Sequence, residues 1–250
     1  MGAEGENLEP MLKKLAYRGK LDAEDRAAIL SLPHRVRRLE QHDYIVREFD
    51  RAEYSCVMLG GYSVRHKQTI DGKRQILAIH MKGEMVDLQN SLLGQADHSV
   101  QMLTPGTIAM IQREEIERVA FERPRVGKAM WIDTLVDGSI FREWILNVGR
   151  REAPARVAHL LCEFSLRLEV AGLGQQTQYE LPMTQDQLAD ATGLTPVHIN
   201  RTLKKLEADG LIERLNGARS IEIGDWKKLA RAGDFNAAYL HMPADEPALN

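Results

Sequence analysis

Cysteine is nearly absent from this 250-residue chain: Cys56 and Cys162 are the only two, and they lie far apart. Such a pair makes no disulfide framework and no CxxC metal spacing. Two isolated thiols fit a reducing compartment. No apolar run approaches the roughly 18 residues that a membrane span needs. The opening MGAEGENLEP is acidic and polar and reads as no secretory signal. The expected location is therefore the cytoplasm, with no membrane partner. A large excess of charge is missing too. Lys and Arg number 33 against 36 Asp and Glu, for a net charge of −3. A surface for nucleic acid would have to be local. What remains is ordinary globular composition, 44% hydrophobic and 28% charged, in a length sufficient for one large or two modest domains.

The chain changes texture twice. After a polar start, LEPMLKKLAYRGKLDAEDRAAILSL has helical spacing. From His34, short β-rich runs follow: RVRRLE, DYIVREF, YSCVML, YSVRHKQTI, RQILAIHM, SVQMLT and TIAMIQ. Turn signals separate them, among them Gly60-Gly61, Asp71-Gly72 and Pro105-Gly106. The pattern predicts an antiparallel sandwich or barrel, with a type I′ turn at IDGKR. Beyond Pro124 the strands stop. VGKAMWIDTLVDGSIFREWILNVGRR predicts one long helix, and APARVAHLLCEFSLRLEVAG a second that ends at glycine. LGQQTQYELP reads as a polar bridge. Asn216-Gly217, between LIERL and SIEI, signals a hairpin, and DWKKLARAGDFNAAYL a closing helix.

The most informative stretch is MTQDQLADATGLTPVHINRTLKKLEADGLI. Thr184 and Gln187 make a capping-box pattern. Gly193 suits a sharp turn, Thr195 an N-cap and Pro196 the first helical position. At about 100° per residue, Ile199, Leu203 and Leu206 share one face. Val197, Arg201, Lys204 and Lys205 share the opposite face, with His198 at its edge. Small Ala189, the glycine turn and β-branched Ile199 have the order of a helix-turn-helix. The second helix would enter a DNA major groove. Arg201 would read guanine, Val197 a thymine methyl and His198 a base edge, with Lys204 and Lys205 on phosphates. Arg214 and Arg219 beside the hairpin would form a wing.

These motifs in this order resemble the Crp/Fnr family of bacterial transcription regulators. LTPVHINRTLKKLEADGLI is similar to that family's recognition helix, and HRVRRLEQHDYIVREFDRAEYSCVMLGGYSVRHK to its first strands. The resemblance implies an α+β fold: an N-terminal antiparallel β-roll, jelly-roll-like and of the cyclic-nucleotide-binding type, a long dimerisation helix, and a C-terminal winged helix-turn-helix. It divides the chain into a disordered N-terminus (1–10), a β-roll sensor (11–123), a dimerisation helix (124–150), a winged helix-turn-helix DNA-binding domain with its closing helix (151–241) and a tail (242–250). It implies a homodimeric, sequence-specific regulator with double-stranded palindromic promoter DNA and RNA polymerase as partners. Trp131, Leu135, Phe141, Trp144, Ile145 and Val148 are the expected dimer seam.

The departures from the family bear on the signal. Cyclic-AMP-binding members carry Gly-Glu and then Arg-Ser/Thr around the phosphate. Here Asp87-Leu88 and His98-Ser99 stand at those places, and Phe141 and Arg142 at the positions that would touch the base. The effector pocket is thus placed at these six residues with its ligand unnamed, and cyclic AMP in the usual pose is not expected. No cysteine precedes Cys56, which argues against an iron–sulfur cluster. A lone His80 is read as a core or surface residue rather than a haem ligand, and Cys162 as an inert buried thiol. No cofactor, metal site or catalytic residue is expected. Two alternatives remain: a metal-dependent β-roll enzyme, against which stands the lack of His-x-His spacing, and a nucleotide-binding β-roll acting through protein contacts, which leaves the cationic helix unexplained.

Overall fold

The computed structural model describes residues 7–215 and 220–242. All seven β-rich runs form strands: β1 (His34–Leu39), β2 (Tyr44–Val46), β3 (Tyr54–Gly60), β4 (Ser63–Gln68), β5 (Arg74–His80), β6 (Ser99–Met102) and β7 (Gly106–Gln112). They make two sheets, one ordered β1-β7-β3 and the other β2-β6-β4-β5. The pairs β1/β7, β3/β7, β2/β6 and β4/β6 are antiparallel.

Strand β3 explains the layering. Successive side chains point to opposite faces, and its central residues are buried on both. Cys56 and Met58 join Leu39, Val100, Met102 and Ile108 in a core supplied by both sheets. Val57 and Leu59 join a second core under the helices. A nearly continuous apolar run is what a strand covered on both faces requires.

That second core is filled by α1 (Glu9–Arg18), α2 (Ala23–Leu30), α4 (Arg113–Glu122) and the start of α5 (Pro124–Arg150), while α3 (Asn90–Leu93) is a single turn. Three expectations change here. The N-terminus expected to be disordered through residue 10 is helical from Glu9, with Leu8 fully buried in that core. The single helical pattern splits, because Gly19 is extended and Asp22 starts a new helix through a capping box with Asp25. The third is α4, which was not foreseen: Ile116 and Val119 bury one side of a charged helix. At Gly127 a Cβ would lie 2.3 Å from the Ala120 carbonyl oxygen, so α4 and α5 meet backbone to backbone.

The turn at IDGKR also differs from expectation. Gly72 N–H donates to Thr69 O and Thr69 N–H to Lys73 O. Only Gly72 has positive φ, whereas type I′ requires it at both central residues. The loop is a three-residue turn closed by a left-handed glycine.

The chain divides into two compact units. The first comprises residues up to 67, 78–139 and from 240. The second comprises 68–77 and 140–239. In the second, α6 (Ala153–Val170), α7 (Gln185–Thr192) and α8 (Pro196–Ala208) pack beside a sheet ordered β8-β10-β9. Its strands are β8 (Gln178–Glu180), β9 (Ile212–Leu215) and β10 (Ser220–Ile223). β8 lies in the expected polar bridge: only Tyr179 of its three residues is buried, and its hydroxyl donates to Leu161 O. The closing helix is shorter than expected. α9 (Trp226–Ala232) stops at Gly233, and a 3-10 turn over Ala237–Leu240 follows.

The long helix α5 has the expected extent, but its exposed seam differs. Trp131, Leu135 and Ile145 are exposed. Trp144, expected with them, is buried, and its indole N–H donates to Glu163. Phe141 and Val148 are half-buried.

Candidate nucleic-acid interface

Local chemistry sets the α7–α8 pair. Thr184 Oγ1 accepts from Gln187 N–H at 3.3 Å, and Gln187 Oε1 accepts from Thr184 N–H at 2.8 Å, closing the capping box. Gly193 ends α7 at φ +65°, a conformation that favours glycine. Arg156 of α6 donates to Thr192 O, satisfying a carbonyl at the end of α7. Thr195 then caps α8, its Oγ1 accepting from His198 N–H at 3.3 Å, with Pro196 at the first helical position.

The faces of α8 divide as periodicity requires. Ile199, Leu203 and Leu206 are buried. Thr195, Val197, His198, Arg201, Lys204 and Lys205 are exposed, Val197 at 68%. The helix thus offers an apolar contact at its first turn, an arginine at its second and lysines at its third. Its N-terminus adds the positive end of the helix dipole. His198 Nδ1 lies 3.2 Å from Thr195 Oγ1, which keeps the ring at the helix start.

Arg214 does not join that face. Its guanidinium makes a two-pronged pair with Glu207, which ties β9 to α8 and holds the Glu207 carboxyl below its usual range. Arg219 and the Asn216-Gly217 tip lie outside the described residues, although β9 and β10 pair as a hairpin from Leu215 and Ser220. Two features were not foreseen. Asn200 donates to Gln185 Oε1 at 3.2 Å across the turn. Arg74, in the β4–β5 hairpin, pairs with Asp190 of α7 at 2.7 Å. Both are long-range contacts that no local spacing signals.

The residues assigned to an effector pocket are engaged largely by the β-roll itself. Asp87 is buried, and its carboxylate accepts from Cys56 N–H at 2.8 Å and Ser55 Oγ–H at 3.3 Å; burial pushes it up to about 6. His98 is buried with Nδ1 2.5 Å from Asp97, and burial, then the Arg65 guanidinium, push it down to about 4. Ser99 Oγ accepts from Glu48 N–H. Leu88 packs half-buried against the helix-side core. Phe141 and Arg142 belong to the part of α5 counted with the second unit, half-buried and exposed respectively.

The sequence reading missed Arg65. It is a buried cation on β4 that donates to Val86 O at 2.8 Å and pairs with Asp137 at 3.3 Å. His80 is a buried neighbour of Glu84, which Lys14 also reaches. Among the described residues no group of three or more His, Cys, Asp or Glu side chains could hold a metal ion. No described helix is long and apolar enough to cross a membrane.

Comparison with known proteins agrees with this geometry. The profile of the Crp-like helix-turn-helix domain matches residues 155–232, and that of the cyclic nucleotide-binding domain residues 36–123. The transcriptional activator protein FnrL of Cereibacter sphaeroides is 24% identical over 227 residues, covering 89% of this chain and 90% of that protein. The nitrogen fixation regulation protein FixK of Bradyrhizobium diazoefficiens is 29% identical over 164 residues, 66% of this chain and 68% of that one. The solved structure of FixK2 from Bradyrhizobium japonicum superposes with a TM-score of 0.72 at 24% identity, covering 82% of this chain and all of that one. With a β-roll, a long helix and a capped helix-turn-helix in sequence, the chain belongs to the Crp/Fnr family of DNA-binding transcription regulators.

Proposed function

We propose that this regulator acts as a homodimer, each subunit laying α8 in the major groove of one half of a palindromic promoter site. The observation that carries the reading is the outward face of α8, where Val197, His198, Arg201, Lys204 and Lys205 are all exposed. Glu207, the one acidic residue within α8, is engaged by Arg214.

The dimer reading rests on α5. Trp131, Leu135, Gly138, Arg142 and Ile145 follow one another at alternating steps of four and three, the spacing of a coiled-coil seam. The large apolar ones are exposed, Trp131 at 69% and Ile145 at 70%. Reading two half-sites together requires two recognition helices about 34 Å apart, one turn of DNA, and hence a paired subunit. Such a regulator works in the cytoplasm, with RNA polymerase as its further partner.

Cyclic AMP in the usual pose is not part of the proposal. A phosphodiester calls for a cation, and the His98 imidazole, pushed down to about 4, is neutral near pH 7.

Roles along α8 follow from depth in the groove. Arg201 lies at the centre of the face, where a guanidinium can pair with guanine O6 and N7. Lys204 and Lys205 lie further along, toward the phosphates. Arg201→Ala is expected to cost about 1–3 kcal/mol and to relax specificity at one base pair per half-site. Lys205→Ala is expected to weaken binding to all sequences alike and to flatten the salt dependence by about one unit of slope for each phosphate left without its lysine. Both variants are to be titrated on a site selected from random duplexes and on its single-base variants. A uniform loss with a smaller salt slope for Arg201→Ala would make it a phosphate contact and overturn its assignment.

A further inference from the structure

The helix-turn-helix profile ends at residue 232, but the chain continues as a well-docked segment. Gly233 begins it, so close to α6 that a Cβ there would lie 2.6 Å from His159 N. Asp234 turns at φ +47°, and Arg151 grips it through both its carboxylate and its carbonyl oxygen. Phe235 packs edge-on against His159, Trp226 and Tyr239. Tyr239 then stacks on the His159 ring, and its hydroxyl donates to Glu163 at 2.8 Å.

Glu163 is the hub. It is 1% exposed, and it accepts from Trp144 of α5, from Tyr239 and from Arg167. His159 adds a constraint. Its Nδ1 lies 3.2 Å from the Gly233 carbonyl oxygen, which can only accept, so Nδ1 carries a proton, and its Nε2 lies 3.1 Å from the Tyr239 hydroxyl oxygen. The Tyr239 hydroxyl thus lies within hydrogen-bonding distance of both Glu163 and His159, and the segment beyond α9 closes a network that begins on α5. Arg151, in the two-residue joint between α5 and α6, also pairs with Glu143 of α5.

We propose that Tyr239 is a positioning residue, and that the segment from Gly233 to Tyr239 is a strap fixing the angle between the end of α5 and α6. The end of α5 carries Ile145 of the proposed seam, and α6 packs against α7 and α8. The strap thus sets where each subunit's recognition helix stands relative to its copy. This rests on the homodimer reading above. Loosening the strap leaves α8 and its base contacts intact while widening the range of half-site separations that the dimer tolerates.

The test compares wild type with Tyr239→Phe, which keeps the ring and removes the hydroxyl. Each is titrated on a selected palindromic duplex, on duplexes with one base pair added or removed at the centre, and on a single half-site. The expected result is unchanged half-site affinity, with the preference for the native spacing reduced several-fold. Hydrogen exchange is expected to rise in α6 and in the end of α5. Asp234→Asn, at an exposed position that leaves the buried network intact, is expected to move the spacing preference the same way by less. It serves as the test if Tyr239→Phe does not fold. Equal loss on every duplex, or a spacing preference unchanged in a folded variant, would overturn the strap. Wild type that shows no preference for spacing would sink the homodimer reading along with it.

Discussion

His98 and Asp87 sit near Arg65 in the β-roll, and burial acts on them in opposite senses. His98 is pushed from 6.5 down to about 4, so the folded state favours its neutral form. Its contribution to stability is complete above pH 6.5 and is lost as pH falls toward 4. Asp87 is pushed from 3.8 up to about 6, so the folded state favours its protonated form. Its contribution is complete below pH 4 and is lost as pH rises through 6. The two swings, each on the order of 3 kcal/mol, oppose each other in one window. Urea unfolding between pH 7 and 4.5 separates them. His98→Gln is expected to gain stability on acidification relative to wild type, and Asp87→Asn to lose it. Parallel pH curves for all three proteins would show that neither group titrates as its burial requires. At this scale the exposed face of α8 was legible, because one helical period determines it. Arg65 and the Asn200–Gln185 bond were not, because each depends on a neighbour distant in sequence. The pairing of Arg214 with Glu207 was not legible for the same reason: linear spacing puts Arg214 beside the hairpin tip and does not show what it faces.

Elements were most legible where the chain carries its own stop and start signals. The α7–α8 turn has a capping box, a left-handed glycine, a second cap and a proline, all local. Replacing Thr195 by alanine removes the acceptor for His198 N–H and is expected to cost about 1 kcal/mol. Thermal unfolding checks this, and an unchanged midpoint would show that water satisfies the helix end as well. The α4 helix lacked such signals. It has no side-chain cap, begins with three charged residues and buries only Ile116 and Val119. Its stability comes from packing against α3 and against strands β3 and β7, which periodicity does not report. β8 escaped notice because two of its three residues are exposed and polar.

At the scale of the whole molecule the order of β-roll, long helix and helix-turn-helix was readable, since each part keeps its own hydrophobic period. The face that α5 leaves exposed was only partly readable. A helix with apolar residues on several sides offers more than one seam, and the Trp144–Glu163 bond takes one of them inward. Ile145→Glu places a charge in the proposed seam and is expected to give a monomer that binds a half-site but loses the avidity of the palindrome. Sedimentation at micromolar concentration checks it, and a variant that remains dimeric would move the interface elsewhere. The two thiols carry a separate consequence. Cys56 belongs to the first unit and Cys162 to the second, both are buried, and burial pushes both thiols up. A thiol reagent reaches neither sulfur until the surrounding structure opens. The labelling rate at each cysteine therefore times the breathing of one unit alone, and the native chain carries two independent clocks without any added probe.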